Sequence, residues 1–169
     1  MQPSDDINLD KNDLNRFFIH HLDKIYAAKT LLVSELPQLI DNAHFSDLRD
    51  AMHRTIDDVR GQILNMEKIY QIMQATASTA SSLGLKGMLD DSFKDIKNHG
   101  SNMELRDMSI LFYLHNIESI EMASFQILEM VGVKLKNDRI KQLLRENYEH
   151  AKSDRTLFLL ISAKYIASV

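Results

Sequence analysis

The chain has no cysteine, which excludes disulfide staples and thiolate metal ligation. Its 169 residues include only 5 glycines and 2 prolines, so few turns are encoded and long helices are expected. No apolar run approaches the ~20 residues that a membrane-spanning helix needs. The longest candidate, LFLLISAKYI, is interrupted by Lys164. The net charge is −4 and no basic stripe stands out, which argues against nucleic acid as a partner. No Ser-His-Asp arrangement, P-loop or dinucleotide fingerprint is present. The polar, acidic opening MQPSDDINLDKND does not read as a signal peptide. The sequence therefore predicts a soluble, cytoplasmic protein with a disordered tail over residues 1–9. Residues 10–169 are expected to form one domain, long enough to bury a core without staples.

Four long segments carry helical periodicity. The first runs from about Asp10 to Asn42, with Phe18, Leu22, Ile25, Tyr26, Leu32, Val33 and Leu36 on its apolar stripe and a break expected near Pro37. The second runs from about Ser46, a candidate N-cap, to Gln74, burying Leu48, Met52, Ile56, Val59, Ile63 and Met66. The third opens on Ser101 and Glu104, at capping-box spacing, and is expected to stop at Gly132. The fourth runs from about Asn137 to Ile166. Between the second and third lie a Ser/Thr/Ala stretch and a short amphipathic piece, LKGMLDDSFKDI. Short connections within each pair and a long one between pairs predict two antiparallel hairpins joined by a crossover that contains a short helix. That is the all-α, ferritin-like four-helix bundle.

The informative residues are charged ones on apolar stripes. Glu118 and Glu121 follow Leu111 and Leu114 and precede Phe125 and Leu128 at three-four spacing. Asn147, His150 and Asp154 interrupt the fourth stripe in the same way. Lys29 lies between Ile25 and Leu32, and Asp57 and Arg60 flank the second stripe. Di-metal carboxylate bundles place glutamates and Glu-x-x-His pairs at such inward positions. Here Lys29, Asp57, Arg60, Glu118, Glu121, Asn147 and His150 would be the equivalents. Lys and Arg are cations at neutral pH and oppose a dication. The set can instead neutralise itself as a buried ion-pair network, with Arg60 bridging carboxylates.

Along these segments the sequence resembles the ferritin-like YciE/YciF family of bacterial stress-associated proteins. The resemblance is carried by YAAKTLL from Tyr26, DDVRGQI from Asp57, LRD from Leu105, NIESIEMASF from Asn116 and, more weakly, EHAKSD from Glu149. It implies a ferritin-like fold, a homodimer and a di-metal centre. The chain departs from the family pattern at Lys29, at Asp57 with Arg60, and at Lys86, where carboxylates or histidine are usual. At His150 the family usually has a carboxylate.

The reading that follows is a non-catalytic, stress-associated protein with a degenerate di-metal site and no cofactor. The alternative is an oxidoreductase-like protein holding Fe, Mn or Zn on Glu118, Glu121, His150 and Asp57. A third is a module for a small ligand or partner helix, although no residue selects a ligand. Phe17, Phe18, Ile19 and Phe112 are candidates for a dimer interface. Adjacent His20 and His21 cannot share one helical face and read as surface or contact residues.

Overall fold

The computed structural model describes residues 9–79 and 83–168, and the expected tail over 1–8 lies outside the described residues. The first helix, α1 (Lys11–Ile40), begins where the Asp10 carboxylate accepts the backbone N–H of Asp13 at 2.8 Å. It continues through Pro37 to Ile40.

The second helix, α2 (Ser46–Met73), starts without the expected serine cap. Phe45 holds the N-cap position and makes no side-chain cap bond. The cap comes from another helix. Asp107, fully buried, accepts the backbone N–H groups of His44 at 2.6 Å and Phe45 at 2.7 Å. Two donors at the helix entry are thereby satisfied by a charged acceptor. Asp107→Ala should cost about 2 kcal/mol in urea unfolding. A loss below about 0.5 kcal/mol would mean that this tertiary cap contributes no stability. At its other end α2 closes on Gln74 in the left-handed region (φ 52°), with the Ala75 N–H donating to the Tyr70 carbonyl at 2.9 Å.

The crossover contains α3 (Leu83–Asn98), which packs on α1 and α4 and buries Leu89, Phe93 and Ile96. The helix α4 (Met103–Lys134) is capped by Asn102, whose side chain accepts from the Leu105 N–H at 3.0 Å. Asn102, not Ser101, therefore takes the cap. The helix runs past Gly132 to Lys134. Gly132 is buried against α5, where a Cβ would lie 3.6 Å from Ile140. The turn into α5 (Asp138–Ile166) instead uses Lys136 at φ 55°.

Hairpins α1/α2 and α4/α5 close into a four-helix ring through α1–α4 and α2–α5 packing. This is the all-α, two-hairpin crossover arrangement that the loop lengths predict. The buried apolar residues form two clusters. One gathers Leu32, Leu36, Leu48, Met52, Leu111 and Phe158; the other gathers Phe18, Leu22, Met66, Phe125, Leu128 and Leu143. Phe18, placed both on the apolar stripe of the first helix and among the candidate contact residues, is fully buried in the second cluster as the stripe predicts and so is no contact residue, and Ile19 packs against that cluster. Among the described residues no helix is long and apolar enough to cross a membrane.

Candidate functional site

Fully buried polar side chains come inward from all four long helices: Lys29 from α1, Thr55 and Gln62 from α2, Glu118 and Glu121 from α4, Asn147 and Asp154 from α5. The helical repeat explains who reaches this interior. On α4, Leu114, Glu118, Glu121, Phe125 and Leu128 continue one stripe at steps of three and four, and every member is buried.

Lys29 Nζ donates to Glu121 Oε2, linking α1 to α4 across the interior. The Phe125 ring lies 5.9 Å from the ammonium. Neither Glu118 oxygen has a protein hydrogen-bond partner, nor does Glu121 Oε1. Burial, reinforced by the neighbouring Glu121 carboxylate, pushes Glu118 well above the ordinary carboxylate range; Lys29 opposes this only in part. As ionised groups the two carboxylates cannot bond each other; once Glu118 holds a proton it can donate to Glu121, which adds to the rise. Burial works against the Lys29 charge, but Glu121, Glu118 and Asp154 outweigh it and raise its pKa.

Asp154 is also buried, and neither of its oxygens has a hydrogen-bond partner. Burial and the neighbouring Asp58 raise it to about 7, against the pull of Lys29 and of Arg54, whose Nε is 4.0 Å away. Arg54 is held at the rim by Asp58 at 3.6 Å and Ser153 at 2.6 Å. Asn147 joins α5 to α2 without charge. Its Nδ2 donates to the Gln62 carbonyl at 3.1 Å, and Gln62 Nε2 donates to the Asn147 carbonyl at 3.2 Å.

The structure brings together Lys29, Glu118 and Glu121 and buries Asn147. It corrects the other three expectations. Arg60 and Asp57 pair with each other at 3.3 Å on the surface, their side chains 60% and 79% exposed. The inward positions of α2 are Thr55, Val59, Gln62 and Met66. Asp57 lies two residues beyond Thr55, roughly 200° around the helix. His150 is 44% exposed, with Nδ1 3.8 Å from Asp58. Ala151 takes the buried place next to it. Arg60→Ala should therefore change stability by less than about 0.5 kcal/mol. A thermal or urea midpoint loss equivalent to several kcal/mol would return Arg60 to the interior.

Asp58 and Arg54 were not identified in the sequence, where they look like ordinary exposed helix charges. Asp154 was legible as an inward charge but not as a member of the site. His99 Nε2 lies 3.0 Å from Ser109 and 3.8 Å from Asp95. Both partners meet the same ring nitrogen, so this is not a nucleophile-base-acid relay.

The family described as a domain of unknown function, DUF892, matches residues 13–164. The chain belongs to this family. Protein YciF of Escherichia coli (strain K12) is 25% identical over 140 residues, covering 80% of this chain and 82% of that protein. The crystal structure of the E. coli stress protein YciF superposes with a TM-score of 0.84 at 19% identity, covering 92% of this chain and 98% of that one. YcfI, a putative structural protein from Rhodopseudomonas palustris, gives 0.79 at 20% identity over 92% and 96%. These structures establish the fold that this DUF892 chain shares.

The donor set of this DUF892 protein does not fit a di-metal centre. The Lys29 ammonium occupies Glu121 from inside the bundle, and Asn147 presents a neutral amide. His150 and Asp57, proposed from the sequence as ligands, do not join Glu118 and Glu121. Among the described residues no group of three or more His, Asp or Glu is placed to hold an ion. The side chain of Lys86 lies outside the described residues.

Proposed function

We propose that this chain is a non-catalytic member of the YciF type, stress-associated and cytoplasmic, in which a degenerate di-metal site has become a buried ion-pair layer. The observation that carries the reading is Lys29, fully buried with its ammonium on Glu121. A fixed monovalent cation there supplies positive charge to Glu118, Glu121 and Asp154 without redox chemistry. E. coli YciF is described as a stress protein and the R. palustris neighbour as a putative structural protein. Those descriptions agree with a role that needs no catalytic centre.

Metal analysis of protein purified from iron- and manganese-rich medium tests the reading. It should find less than about 0.1 equivalents of Fe, Mn or Zn per chain, since the residues supply no closed ligand set. Stoichiometric metal lost in Glu121→Ala would overturn it in favour of an oxidoreductase-like metal protein. The partnerless Glu118 and Asp154 oxygens are what favour that second reading.

The same reading includes a homodimer. Phe112 (64% exposed), Ile120, Ile127 and Met130 leave an apolar outer surface on α4, and Phe17 of α1 borders a groove with Ile120 and Ile127. Exposed apolar patches of this kind mark association surfaces. Sedimentation should give a dimer that Phe112→Asp shifts towards monomer.

A further inference from the structure

We propose that the groove between α1 and α4 binds a free medium-chain aliphatic carboxylate, with its tail between Phe17 and Ile127 and its carboxylate on Lys24. None of the buried polar residues takes part, so this site stands or falls separately from the ion-pair layer.

The groove has a volume of about 190 Å³. Buried Ile25 and Leu128 form its floor, and the more exposed Phe17, Ile120 and Ile127 form its walls. Phe18 and Leu22 pack with Phe125 and Leu128, and Leu36 packs with Leu111, so the two helices run antiparallel. Ile127 therefore lies towards Phe17, and Ile120 towards Lys24. From Phe17 to Lys24 the rise along α1 is about 10 Å. A hollow that long for its volume is one hydrocarbon chain wide, which favours an unbranched tail over a ring. It is also smaller than the about 300 Å³ at which sites for drug-sized molecules begin.

The polar groups at the groove select the head. The lining holds Lys24 and His21 and no Asp or Glu. Lys24 has no ion-pair or hydrogen-bond partner among the described residues. The His21 ring lies 4.4 Å from that of Phe17, and burial, Lys24 and His20 hold its pKa below the ordinary value. At neutral pH His21 is thus an uncharged donor and Lys24 the standing charge. On the α4 side Ser124 is the one polar residue of the lining, and it carries no charge. An apolar trough with one unpaired cation at its end matches a monoanion that carries an apolar tail. A dianionic phosphate would call for more positive charge than the groove has.

Isothermal titration of the full-length chain with octanoate, below its micellar concentration, tests the site. One octanoate should bind per chain. Octan-1-ol, with the same tail and no charge, should bind at least about tenfold more weakly. Hexanoate, shorter by two methylenes, should also lose more than about tenfold. Lys24→Gln should abolish the preference for acid over alcohol and leave the alcohol's affinity as it is. Ser124→Trp, which fills the groove from α4, should bind neither. Phe112 lies outside the groove, so monomeric Phe112→Asp should bind octanoate as the wild type does. No saturable binding below about 1 mM, equal affinity for acid and alcohol, or a preference that survives Lys24→Gln would overturn the proposal. Binding retained by Ser124→Trp would place the ligand elsewhere and overturn it too. Binding confined to either the wild type or Phe112→Asp would make a second copy part of the site or its occupant, with the same consequence.

Discussion

Lys29→Met should destabilise the protein by about 3–5 kcal/mol at neutral pH. The substitution keeps an unbranched chain of similar size, so lost packing is a minor part of the effect. What it removes is the cation inside the bundle, while Glu118, Glu121 and Asp154 stay buried. A stranded carboxylate has two recourses: draw in water or bind a proton. The loss should therefore shrink in acid, where proton uptake neutralises the group at less expense. Urea unfolding at several pH values checks both statements, with the midpoint and slope read separately. The double variant Lys29→Met, Glu121→Leu should recover at least half of the loss, because a buried ion pair is often no better than apolar residues of similar shape. A single-variant loss below about 1 kcal/mol would mean that the Lys29 charge is not needed inside the fold.

The architecture was legible because it depends on long-period information. Scarcity of turn residues, four apolar stripes and unequal connection lengths specify two hairpins and a crossover, whichever residue ends each helix. The ends were less legible because they are decided by tertiary contacts. Ser46 has the chemistry of a cap, but Asp107 from α4 reaches the entry of α2 first. Gly132 has the chemistry of a stop, but it lies buried within α4 beside α5, and the chain turns only at Lys136.

The same distinction runs through the site. Glu118 and Glu121 lie on a stripe whose other members are large and apolar, so their direction is fixed by their neighbours. Lys29 is fixed in the same way between Ile25 and Leu32. On α2 the inward residues include Thr55 and Gln62, which are short or neutral and do not mark the stripe. Asp57 and Arg60 then look inward by proximity to Ile56 and Val59, although each step along a helix turns the side chain by about 100°. On α5, Ala151 hides the true register, and the conspicuous His150 beside it faces the rim. Charge is a good pointer to a site only where the apolar register around it is unambiguous.

That register also places Asp154 where its titration should govern the pH dependence of folding. Its pKa is about 7 in the folded protein against an ordinary value of 3.8. Between those values the folded state binds more protons than the unfolded one, so stability must fall as pH rises. The slope from this group alone approaches about 1.4 kcal/mol per pH unit. The contribution is intact below pH about 4 and gone above pH about 7. Glu118, also raised, acts in the same direction. Lys29, raised above 10.5, contributes stability that is lost only in strong alkali, outside this window. Asp154→Asn removes the titration and retains the shape. Its stability should match the wild type near pH 4, exceed it above pH 7, and leave a shallower slope set by Glu118 and the surface groups. Chemical unfolding of both proteins across pH 4–8 measures the difference curve, in which carboxylates common to both cancel. A difference that stays flat, or one in which the wild type gains on Asp154→Asn as pH rises, would show that Asp154 is ionised throughout and already compensated by Lys29 and Arg54.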